Sequence, residues 1–211
     1  MFRTTTRSKS FLTSMVAATA LVLASSASAK PPEDGKVRPG QPGTANIVEI
    51  ALAVNADLGE FDYLLGAVGC LTDEEGNNAV IDLLTGEDKY TLFAPTDAAF
   101  EALQAALGIA VPSPELTCAV DDLFGEGTLL TVLAYHVTDG RRFSNSLFNA
   151  NNDKAVEMLV GGYITTTPDF YIIDNVDQMI GLVPPFININ ASNGVVHVID
   201  TVMLPVDPST L

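Results

Sequence analysis

From Asn46 onward the apolar positions fall at helical spacing. Ile47, Ile50, Ala51 and Val54 occupy the i, i+3, i+4 and i+7 positions of one helix face, and Asn46 is placed to cap it. After a break at Gly59, Phe61, Leu64, Leu65 and Val68 repeat the spacing, and Val80, Leu83 and Leu84 predict a third short helix that ends at Gly86. The period then changes: YTLFA at 90–94 is a compact β-favouring run that leads through Pro95 to Thr96 and Asp97, a strand handing over to a helix. Thr96 or Asp97 can accept hydrogen bonds from the first free N–H groups of that helix, and an acid there complements its dipole. Phe100, Leu103 and Leu107 supply its buried face. Beyond the breaks at Pro112 and Pro114, Leu116, Val120, Leu123 and Phe124 permit another short helix. Leu130, Leu133, Ala134 and Val137 then share one helical face, with Leu129, Val132 and His136 on the next stripe, which predicts a deeply packed helix.

After Lys154 the chain alternates short β-type runs, at 156–159, 163–167, 170–173, 179–183, 186–189 and 195–204, with turn-forming clusters such as Gly161-Gly162 and Asn193-Gly194. A helical first half followed by an antiparallel second half predicts the α+β class.

Residues 1–29 change the picture from a plain globular chain to an exported one. Arg3, Arg7 and Lys9 precede an apolar stretch and Ala27-Ser28-Ala29, the layout of a secretory signal with cleavage before Lys30. Residues 30–43, rich in Pro and Gly, read as a linker, residues 44–206 as one domain and 207–211 as a short tail. No lipid-accepting Cys follows the cleavage site and no apolar tail closes the chain, so no membrane anchor is expected, and the destination is the periplasm or the extracellular medium.

The formal charge is −16, and cleavage would remove three cations and no acid, leaving −19. Only seven Lys and Arg would remain, which excludes the clustered cations that nucleic acids and anionic membranes require. Cys70 and Cys118 are the only cysteines, and an even count in an exported chain predicts a disulfide.

Three segments, YTLFAPTDAAF at 90–100, LLTVLAYHVTDGR at 129–141 and INASNGVVHVIDTVMLP at 189–205, together resemble the boxes of the fasciclin-like domain family, in its order and near its spacing. The resemblance implies a wedge-shaped β-sandwich with helices from the N-terminal half packed around it. It also implies an adhesion or binding module that recognises a protein or polysaccharide partner without covalent chemistry. The alternative from the same family is a carrier of an apolar small molecule such as a carotenoid or lipid. Its motif positions here are Thr96, Asp97, Tyr135, His136, His197 and Asp200, read as structural. The segments 71–89 and 108–127 look longer than in a minimal member, and each is bordered by one of the cysteines.

The candidate chemistry is thin. Animal relatives are associated with integrin binding near the Tyr135-His136 position. The apolar helix around His136 instead suggests an internal hydrogen bond, to Asp97 or Thr96. His197 lies among β-branched neighbours, and two His without fitting carboxylates do not make a metal site. No Gly-x-Ser-x-Gly elbow is present, so no enzyme, catalytic residue, metal or cofactor is expected. The acids at 73–75, Asp121, Asp122, Asp174 and Asp177 read as a solvated face, and the 149–153 segment lacks the Gly and Glu of a calcium loop. Asn190-Ala191-Ser192 matches a glycosylation sequon, and Val183 to Phe186 with Met179 and Ile180 line either an apolar groove or a packed edge.

Overall fold

The computed structural model describes residues 43–109 and 112–206. The expected export segment, all but Gly43 of the linker, and the 207–211 tail lie outside the described residues.

Asn46 opens α1 (Ile47–Leu58) through a reciprocal cap: its Oδ1 accepts from the Glu49 N–H at 2.9 Å, and Glu49 Oε2 accepts from the Asn46 N–H at 2.8 Å. Gly59, at φ 64°, ends the helix by returning its N–H to the Asn55 carbonyl. The Asn55 side chain bonds the Phe61 N–H and Asp62, setting the turn into α2 (Asp62–Cys70). Asn78 caps α3 (Ala79–Thr85) and donates at 2.6 Å to the Val68 carbonyl, which ties that helix to α2. The helices α4 (Asp97–Ala106), α5 (Val120–Phe124), α6 (Thr128–Ala134) and α7 (Ser144–Leu147) follow, α5 being preceded by a 3-10 turn over Pro114–Ala119.

Two four-stranded sheets carry the rest. The first is ordered β2 (Val137–Asp139), β1 (Tyr90–Pro95), β8 (Gly194–Ile199), β7 (Ile189–Ala191). The second is an antiparallel meander of β3 (Lys154–Glu157), β4 (Tyr163–Thr166), β5 (Tyr171–Ile173) and β6 (Met179–Gly181). Every residue of β1 and β8 is buried because both faces of the first sheet are covered. Leu92, Ala94, Val196 and Val198 pack with the helices, while Phe93 and Ile199 join Val156, Ile164, Ile172 and Ile180 in the core shared with the second sheet.

Asn193 and Gly194 lock the helices onto the first sheet. Asn193 Oδ1 accepts from the Ile47 N–H at 3.0 Å, and its amide donates to the Leu84 carbonyl at 2.6 Å and to the Gly86 carbonyl at 3.2 Å. A Cβ at position 194 would collide with the Tyr90 carbonyl and with Ile47 Cδ1, so only glycine lets α1 and β1 approach this closely.

Several sequence expectations need correction. Strand pairings within the second half are antiparallel, as expected; the unexpected feature is that β8 also runs parallel to β1 of the first half, in register from Tyr90↔Gly194 to Pro95↔Ile199. The helix expected through Val137 ends at Ala134, and Val137 belongs to β2. Its buried face is Leu129 and Leu133, whereas Leu130 is 41% exposed, so α6 is half-buried and not deeply packed. The run at 186–189 yields a strand only from Ile189, and that at 195–204 leaves the sheet after Ile199.

Candidate functional site

The residues of the three boxes are held by local and cross-sheet hydrogen bonds. Thr96 caps α4, with Oγ1 accepting from the Ala99 N–H at 3.3 Å. Asp97 Oδ1 accepts from the Tyr63 N–H at 3.0 Å and joins the start of α2 to α4; burial raises its carboxyl above the ordinary range. Tyr135, fully buried, donates its hydroxyl to the Tyr163 carbonyl at 2.8 Å, and burial, assisted by the charge of Asp174, pushes its pKa up to about 12. Asp200 Oδ1 accepts from the Gly181 N–H at 2.8 Å and from the Thr201 hydroxyl at 3.0 Å.

Both histidines are sealed in the core. His136 Nε2 lies 2.9 Å from the Met203 amide nitrogen and Nδ1 lies 2.7 Å from the Val132 carbonyl. A backbone N–H can only donate, so Nε2 must be the bare nitrogen and Nδ1 carries the proton that bonds Val132. Its partners are therefore not Asp97 or Thr96. Burial holds its pKa down to about 4. His197 has the mirrored arrangement: Nδ1 accepts from the Asn188 N–H at 3.4 Å, Nε2 donates to the Arg142 carbonyl at 2.8 Å, and the ring stacks on Phe93. Burial lowers its pKa as well. Each imidazole thus has both nitrogens engaged by backbone, and neither is free to act as a base toward a hydroxyl.

The acids divide. Asp174 is buried and accepts from the N–H groups of Val176 (3.1 Å), Gln178 (2.9 Å) and Leu204 (2.9 Å) and from the Gln178 amide (2.7 Å). Asp121 accepts from the Gly127 N–H at 3.1 Å and the Leu129 N–H at 2.7 Å, and so caps α6. For Asp174 the solvated-face expectation is wrong, because the side chain is buried and claimed by N–H groups of its own turn and of the remote Leu204; Asp121, half-buried, is claimed by N–H groups six and eight residues on. Asp73 is solvent-exposed, and its bonds to Asn77 lower its pKa. Among the described residues no group of three or more His, Cys, Asp or Glu is placed to hold a metal ion. Asn190 of the sequon accepts a hydrogen bond from Arg141. Val183 and Phe186 pack against the helix-side core, and Pro184-Pro185 is a cis peptide.

Among the described residues, two outward-facing apolar regions bear on binding. Alternation along the second sheet sends Val156, Ile164, Ile172 and Ile180 inward and leaves Tyr163, Tyr171, Ile173 and Met179 on the outer face. Tyr163, Tyr171 and Met179 are each more than two-fifths exposed, as is Phe170 in the β4–β5 turn. Phe170 sits at φ 66°, a conformation that bulky residues rarely adopt, with its ring 5.2 Å from that of Phe148.

The second place is a cleft of about 560 Å³ between α4, α5, α6 and the segment after β8, lined by Leu103, Leu107, Val120, Leu123, Leu130 and Leu204 among others. One wall is anchored covalently: Cys118 in the 3-10 turn is bonded to Cys70 at the end of α2, with Cα atoms 5.4 Å apart, as the cysteine count predicts. Neither surface is visible in the sequence as a motif. The helical apolar stripes at 100–107 and 116–124 were the available signal for the cleft.

A family model described as the fasciclin domain matches residues 74–205. Protein sll1483 of Synechocystis sp. is 30% identical over 126 residues, covering 60% of this chain and 61% of that protein. Cell surface glycolipoprotein MPB83 of Mycobacterium bovis is 30% identical over 129 residues, covering 60% of this chain and 48% of that protein. The matches thus span about half to three-fifths of these relatives' lengths. Among solved structures, a domain pair from the insect cell adhesion molecule fasciclin I aligns with TM-score 0.53 and 16% identity, over 77% of this chain and 51% of that one, a likeness of fold. No helix among the described residues is long and apolar enough to cross a membrane.

Proposed function

The chain belongs to the fasciclin domain family, a family of non-catalytic adhesion and binding modules, and from that premise we propose that it is exported and acts at the cell exterior, holding a polysaccharide partner noncovalently. The observation that supports the partner is the outer face of the β3–β6 sheet. There Tyr163, Tyr171 and Phe170 present rings to solvent where an antiparallel sheet facing water ordinarily carries polar side chains. Flat rings stack on the apolar faces of sugars, and a net charge of −16 disfavours acidic polymers, so the partner is a neutral glycan. The similar mycobacterial protein is by its name a cell-surface glycolipoprotein, which agrees with an exterior site of action.

Co-sedimentation of the purified protein with insoluble cell-exterior polysaccharide is the test. Retention that a Tyr163→Ser, Tyr171→Ser double variant loses is expected; equal retention of both would remove the sheet face from the account, and capture by a protein alone would replace the glycan.

A second reading, carriage of an apolar small molecule, is favoured by the α4–α5–α6 cleft. Its volume of about 560 Å³ falls in the range of about 300–1,000 Å³ typical of small-molecule sites.

A further inference from the structure

The cleft's chemistry narrows its ligand, on the premise that the carrier reading holds. Three of its walls lie within residues 90–140, a stretch of fifty-one residues without a single Lys or Arg, and its fourth, Val202–Val206, is uncharged. The acids nearby are Glu126 on the lining and Asp121 and Asp122 in α5.

The polar side chains on the lining are already committed to the protein. The Gln104 amide donates to the Ser113 carbonyl at 3.0 Å, and its Oε1 accepts from the Ser113 N–H at 2.9 Å. Thr117 donates to the Pro114 carbonyl, Thr128 to the Gly125 carbonyl at 2.8 Å and Thr131 to the Gly127 carbonyl at 2.9 Å. A carboxylate or phosphate head group entering here would find neither a cation nor a free hydroxyl proton, and would leave water to sit beside carboxylates. The cost of desolvating an unpaired anion exceeds what the apolar walls return. A second copy of the chain is disfavoured on the same ground, since it too carries −16.

We propose that the α4–α5–α6 cleft is a binding site for an uncharged, hydrocarbon-rich small molecule, and that it discriminates against amphiphiles with an anionic head. Leu123 and Leu130, 62% and 41% exposed, form its mouth, so a polar substitution at either changes the entrance without emptying the core.

The experiment is a fluorescence titration of the oxidised protein with two probes that share one aromatic skeleton. N-phenyl-1-naphthylamine is neutral and 8-anilinonaphthalene-1-sulfonate adds a sulfonate. The neutral probe is expected to bind saturably and at least about tenfold more tightly than the sulfonate. Leu123→Asn and Leu130→Asn, polar without adding charge, should each weaken it several-fold, with the circular dichroism spectrum unchanged as the check on folding. Met179→Lys, on the sheet face, should not affect it. A sulfonate that binds as tightly, and is displaced by the same two variants, would overturn the neutral-ligand assignment while leaving the carrier reading standing. Saturable binding lost in Met179→Lys instead would move the site off the cleft. Absence of saturable binding by both probes would remove the carrier reading and this assignment with it.

Discussion

Replacing His136 by Leu tests most sharply whether the central box residue is internal structure. The substitution deletes the acceptor of the buried Met203 N–H and the donor to the Val132 carbonyl. A typical intramolecular hydrogen bond contributes about 1 kcal/mol, and a buried donor left without a partner costs about 1–3 kcal/mol, so the variant should lose about 3 kcal/mol at pH 7. The loss should shrink in acid. In the folded protein His136 keeps a pKa of about 4 against an ordinary 6.5, so the unfolded chain takes up a proton first. Its contribution is complete above pH 6.5, declines between 6.5 and 4 and is gone below, about 3 kcal/mol in all at 1.36 kcal/mol per unit. Urea melts of wild type and variant at pH 7, 5.5 and 4 should therefore show a gap that narrows to under about 1 kcal/mol at pH 4. A constant gap would mean that His136 is not held neutral by Met203. A variant of full stability that no longer binds its partner would refute the structural assignment altogether.

Other outcomes follow from single contacts. Cys70→Ser, Cys118→Ser should destabilise the domain by up to about 4 kcal/mol by the loop-entropy estimate for a 48-residue separation, read as a lower denaturation midpoint that reductant reproduces in wild type. Asp174→Ala strips four donors of a buried carboxylate acceptor and should cost about 3 kcal/mol or more in the same assay. Asp97→Asn retains an acceptor for Tyr63. Because burial raises the Asp97 pKa, its charged form is disfavoured on folding, so the variant should melt higher at pH 7 and lose that advantage as the pH falls toward 3.8.

Features encoded within a few residues were legible in the sequence. The Asn46 cap, the Gly59 stop and the Thr96 cap each need only a local pattern, and the structure forms all three. Features that join remote segments were not. The parallel pairing of β1 with β8 brings together residues about a hundred positions apart, and no local signal distinguishes it from an antiparallel neighbour. Val137 continues the helical spacing by coincidence, since a strand residue facing the core satisfies the same apolar pattern. His136 was readable as buried, but its acceptor role depends on Met203, 67 residues away. Asp121 and Asp174 look like surface acids until the turns that aim N–H groups at them are in place. Apolar stripes on α4, α5 and α6 announce burial, yet whether such faces close on one another or leave a cleft is decided by packing.

Glycan binding by the outer sheet face is decided by affinity electrophoresis of three folded proteins through gels containing neutral or acidic exterior polysaccharide: wild type, the Tyr163→Ser, Tyr171→Ser variant, and Asp97→Asn as a box-residue control. Wild type and Asp97→Asn should be retarded by the neutral polymer, the sheet-face variant should not, and none of the three should be retarded by the acidic one. Retardation that survives loss of both tyrosines but disappears in Asp97→Asn would contradict glycan binding by that face.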